Sequence, residues 1–111
     1  MNSGMLLHLS AFNDSREGIR TFAARRIATY GAEAAPLLIE LLGEDEGYTR
    51  ESAVLALREM GQVAIPFLRG AMRNPNEAIR QQAAIILAAI GEEPEPDTQG
   101  QMTADTSISA S

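Results

Sequence analysis

Residues thirty positions apart match one another along most of this chain. Arg20, Arg50 and Arg80 fall at that spacing, as do Ala23, Ala53 and Ala83, then Ile27, Leu57 and Leu87, then Gly31, Gly61 and Gly91. Pro36 pairs with Pro66, Ala34 with Ala64, Leu38 with Leu68 and Leu42 with Met72 at the same offset. A period in this range marks a stacked repeat, in which each unit is one supersecondary element that cannot bury its apolar face alone.

Each unit reads as two helices. Near residues 16–30 the apolar side chains fall at 19, 23, 27 and 30, the spacing of one helical face. Gly31 follows where a helix end needs a residue tolerant of positive φ. A second helix runs through Pro36 to about Leu42, with proline in its first turn. Its apolar face is Ala34, Leu38, Leu41 and Leu42. In Asn74-Pro75-Asn76-Glu77, Asn74 predicts a helix cap, with Pro75 at the first helical position. Counting back thirty from the second-helix positions reaches Leu7, His8, Leu9, Ala11 and Phe12, so residues 5–13 read as an unpaired second helix.

The expected fold is therefore all-α, a right-handed solenoid of about two and a half helical hairpins. Its domain covers residues 5–91: a helix at 5–13, units at 16–43 and 46–73, and a further first helix at 76–90. Residues 92–111, rich in Pro, Glu, Asp, Thr and Ser, have the composition of a disordered acidic tail. The alanines at 23, 24, 53, 83 and 84 let neighbouring helices approach closely.

Charge divides along the same boundary. Of 111 residues, nine are basic, all of them Arg, and fifteen are acidic, giving a net charge of -6. Arg16 to Gly91 holds nine Arg and nine acids, so the body is neutral, and five acids lie beyond Gly91. The absence of lysine fits a GC-rich bacterial gene, or selection for planar hydrogen-bonding cations. Without cysteine there is no disulfide, thiolate metal site or thiol nucleophile. The start has no basic leader and no apolar run approaches a membrane span, which favours a cytoplasmic protein.

The units resemble HEAT-like repeats of the phycobilin-lyase type. The matching residues are Asp14, Ile19-Arg20, Gly31 and Ala34-x-Pro36, then Glu44, Thr49-Arg50, Gly61 and Ala64-x-Pro66. The third copy keeps Ile79-Arg80 and Gly91, with Asn74 in the loop. The resemblance covers roughly residues 5–91. It implies a helical-repeat fold used in lyase subunits, DNA glycosylases, a hydroxylase and many adaptors. The hydroxylase of this type holds iron with paired His-Glu motifs; here the single His8 has no such pair.

No catalytic residue, cofactor or metal ligand set stands out. The row Arg20, Arg50 and Arg80 reads as a structural ladder on loop carbonyls or acids such as Asp14 and Glu44. A nucleic-acid interface would need surplus surface positive charge that the neutral body lacks. Arg25-Arg26 and Arg69 with Arg73 read as more exposed, and the loop acids Glu44, Asp45 and Glu46 as a solvated turn. Leu55, Ile85 and Ile86 replace arginines or alanine on what the helical wheel makes the outer surface, so they predict a small apolar patch for a protein partner. The second-helix face around Glu40 and Arg69 is a further candidate. Protein binding as an adaptor is the leading expectation, with an accessory piece of a lyase and a nucleic-acid binder as alternatives. The unpaired helices at the two ends also suggest head-to-tail self-association.

Overall fold

Alanine-rich stretches at the thirty-residue period form the longer helices, and the proline-led stretches between them form the shorter ones. The computed structural model describes residues 3–91; the acidic tail expected over 92–111 lies outside the described residues. In chain order the helices are α1 (Ser3–Leu9), α2 (Glu17–Ala28), α3 (Ala35–Leu41), α4 (Thr49–Met60), α5 (Ile65–Ala71) and α6 (Glu77–Ile90). Short 3-10 turns at Gly31–Glu33 and Gly61–Ala64 join α2 to α3 and α4 to α5. Among the described residues there is no strand.

The hairpin corners follow from one glycine each. Gly31 and Gly61 both hold φ of 59°, a conformation that a side chain makes costly. Pro36 and Pro66 then open α3 and α5 in the first turn, where the missing N–H has no helical partner to lose.

One continuous core runs through the stack. The long helices bury Ala23, Ala24 and Ile27 from α2, Ala53, Ala56 and Leu57 from α4, and Ile79, Ala83, Ile86 and Leu87 from α6. The short helices answer with Leu38, Ile39, Ile65 and Leu68, and α1 and its following turn add Met5 and Phe12. Ile27, Leu38, Leu57, Leu68 and Leu87 are all fully enclosed. Each contributes about 1.5–3 kcal/mol of transfer free energy, so these side chains dominate the stack's stability.

Three local expectations change. Of the face at 19, 23, 27 and 30, Ile19 is exposed, since among the described residues no long helix precedes α2, and Tyr30, beyond the end of α2, is only half-buried. Leu41 is half-buried, and Ala35 and Ile39 take its place in the core. The cap of α6 is Asn76 rather than Asn74: the Asn76 carboxamide accepts from the Ala78 and Ile79 amides at 2.8 and 3.3 Å. Asn74 instead accepts from the Asn76 amide at 2.8 Å, and Pro75 stays in the loop between them.

Candidate functional site

The loops that begin each long helix are tied down by the arginine row. Arg20 Nη1 donates to the Asp14 carbonyl at 2.8 Å, Arg50 Nε to the Leu42 carbonyl at 3.0 Å, and Arg80 Nη1 to the Asn74 carbonyl at 2.7 Å. The Asp14 carboxylate does not meet Arg20; it accepts from the Arg16 side chain and amide at 2.9 Å. Those bonds from Arg16, side chain first, lower the Asp14 pKa from 3.8 to about 2. Arg20 also reaches the next unit. Its guanidinium lies 4.0 Å over the Tyr48 ring and 3.9 Å from Glu51. Asn13 Oδ1 accepts from the Tyr48 amide at 2.7 Å, locking the first loop to the second.

Contacts between successive long helices reveal which stripe of each faces its neighbour. Ser52 is buried and donates to the Phe12 carbonyl at 2.7 Å, so this side of α4 looks back towards the preceding unit. Glu59 lies on the same side, seven residues on, and sits 3.8 Å from Arg25 of α2. The backward-facing stripe of α4 is therefore 49, 52, 56 and 59. Its counterpart in α6 is 79, 82, 86 and 89, and in α2 it is 19, 22, 26 and 29.

This geometry corrects Ile86. It is fully buried, not part of an outer patch, because it follows Ile79 and Ala83 at helical spacing and shares the backward-facing stripe with buried Ala56. Arg26, in the same register, is exposed because α2 has no long helix behind it among the described residues. Leu55 is half-buried and Ile85 is 58% exposed. Leu55 lines two shallow clefts: one with Glu17, Arg20, Glu51 and Arg58 between α2 and α4, the other with Arg58, Glu59, Ala89 and Ile90 between α4 and α6.

On the short helices Glu40 is exposed and Arg69 half-buried, and Arg73, in the turn beyond α5, is exposed. Neither they nor Ile85 line the two clefts that Leu55 lines. His8 packs edge to face against Phe22, with ring centroids 6.2 Å apart. Glu44, Asp45 and Glu46 are all exposed. Among the described residues no cluster of His, Asp and Glu is arranged to hold a metal ion. No described helix is long and apolar enough to cross a membrane.

Phe22 is the residue that reading the sequence alone overlooks. It is 61% exposed, whereas Ser52 in the same register is buried. The thirty-residue offset carries the signal, since an aromatic there aligns with Ser52 and Gln82.

None of the curated proteins compared with the chain matches it. A family model described as HEAT repeats matches residues 6–88, which span all six helices except the ends of the first and last. The chain is a member of the HEAT-repeat family.

Proposed function

We propose that this chain is a non-catalytic protein-binding scaffold, a right-handed superhelix of about two and a half hairpins. The observation that carries the reading is the placement of Leu55. It sits half-open between two clefts, with Arg58 lining both, so α4 offers an aliphatic anchor beside a cation on the outer surface. Arginine is enriched among the residues that carry interface binding energy, and neighbouring apolar contacts exclude water from them. Stacked repeats, moreover, build extended surfaces from equivalent helices rather than deep pockets.

The charges argue for a protein partner over a nucleic acid. Arg16, Arg20 and Arg25 face Asp14, Glu51 and Glu59, and nine acids offset the nine arginines from Arg16 to Gly91, so the body carries no surplus positive charge for a phosphate backbone. The second-helix face with Glu40, Arg69 and Arg73 is a further contact surface in this reading. The phycobilin-lyase subtype, and a role as a lyase accessory, rest on the Asp14, Ile19-Arg20 and Ala34-x-Pro36 pattern. A cytoplasmic bacterial setting rests on the arginine-only composition.

The test is a comparative capture from source-cell extract with the tagged full chain, wild type against Leu55→Glu/Arg58→Glu. The expected result is a defined protein retained by the wild type and lost from a variant that keeps its helical circular dichroism. An identical retained set for both proteins would overturn the assignment of the α4 surface.

A further inference from the structure

We propose that the two ends of the stack bind each other in separate copies of this chain, α6 of one copy packing on α2 of the next. The inference deepens the scaffold reading by naming a partner, a second copy, and rests on it only in taking the chain to act through protein contact.

The internal interfaces supply the template. Across α2 and α4, Arg25 meets Glu59; thirty residues on, Leu55 shares a cleft with Ala89. Ile85 is the next member of that series, and among the described residues no following helix lies beyond α6 for it to meet. The stripe on the receiving side is equally open at the other end. Ser52 and Ala56 of α4 and Ile79 and Ile86 of α6 are buried, yet in the same register of α2 Ile19 is 38% and Phe22 61% exposed, and Arg26 is exposed. Extending the repeat by one step between copies would set Ile85, Ala84 and Ala88 against Phe22, Arg26 and Thr29.

Charge and hydrogen bonding both permit that contact. From Gln81 to Gly91 there is no charged residue, although Gln81, Ile85, Ala88 and Ala89 are all exposed. The outward faces of α2 and α4 by contrast carry Arg25, Arg26, Arg58 and Glu59. An end helix facing water normally carries charge on its outer side. The Thr29 hydroxyl already donates to the Arg26 carbonyl at 2.6 Å, so apolar packing over it strands no donor. Small Ala84 and Ala88 leave room for Phe22, the largest residue in a register where the internal pairs carry Ser52 and Gln82. Residues 92–111 are a poor alternative cover, since Met102 and Ile108 are their only large aliphatic side chains and four acids fall within 92–97.

The contact joins two different surfaces, so it is heterologous and has no built-in stop at the dimer. The experiment is sedimentation of the full chain over a concentration series, for wild type, Phe22→Glu, Ile85→Glu and an equimolar mixture of the two variants. Phe22→Arg and Ile85→Arg repeat the test with opposite charge. The expected result is wild-type mass that rises past the dimer with concentration, monomer for each variant alone, and dimer for the mixture, where each variant supplies the end the other lacks. Monomeric wild type at the highest concentration overturns the proposal, and so does an Ile85→Glu protein that still dimerises, which would mean head-to-head pairing. Neither result touches the scaffold reading, whose capture experiment depends on Leu55 and Arg58.

Discussion

Gly47→Ala should cost about 1–3 kcal/mol, and the cost should depend on a residue far away in sequence. Gly47 holds φ of 71°, and a Cβ added there would run into the Asn13 carboxamide. The left-handed backbone alone costs a residue with a side chain about 1–2 kcal/mol. Moving Asn13 aside breaks its 2.7 Å bond from the Tyr48 amide, worth about 0.5–1.5 kcal/mol more. The stiffer unfolded chain offsets about 0.4–1 kcal/mol of that sum. Urea unfolding followed by circular dichroism at equilibrium measures the net effect. In an Asn13→Ala background the collision and the hydrogen bond are already gone, so the same substitution should lose only the backbone cost. The double-mutant cycle then shows a coupling of about 1 kcal/mol. A neutral Gly47→Ala, or an equal cost in both backgrounds, would refute the account of how the first loop is locked to the second.

Other substitutions test other links. Gly70 lies exposed near the end of α5 with open space around its α-carbon, so Gly70→Ala should stabilise by about 0.5–1 kcal/mol, read as a higher urea midpoint. Asn76→Ala removes the side-chain cap from two amides of α6 and should cost about 1 kcal/mol in the same assay. Asp14 should titrate near pH 2 by carboxyl carbon NMR, and Arg16→Ala should return it towards 3.8. Because its folded pKa is lowered, the stability it contributes is fully present above the ordinary value and fades as pH falls from about 4 towards 2. Its exposure to solvent keeps that contribution small.

The repeat was legible because stacking makes every unit solve the same problem. Gly31 and Gly61 mark the corners, Pro36 and Pro66 open the second helices, and Ile27, Leu57 and Leu87 sit in one register of the core. What stayed illegible depends on neighbours. A long helix here packs on the short helix that precedes it in the chain and on its neighbouring long helices. A helical wheel drawn for one helix sees only a single apolar arc, so it placed Ile86 outside. Asn74 and Asn76 both suit a cap two residues apart, and only the backbone path around Pro75 separates them. Gly47 gives no local sign of its role, because the group it accommodates belongs to Asn13 in another loop. Phe22 became visible only once Ser52 showed where its register points.

The most direct test of how these helices present themselves is a pair of amide correlation NMR spectra of the full chain, one dilute and one concentrated. The account predicts shifts and broadening on the two end stripes together: Ile19, Phe22 and Arg26 on α2, and Ala84, Ile85 and Ala88 on α6. The enclosed residues Leu38, Leu57 and Leu68 should stay still. Spectra that superimpose at both concentrations would contradict it, as would changes at only one end.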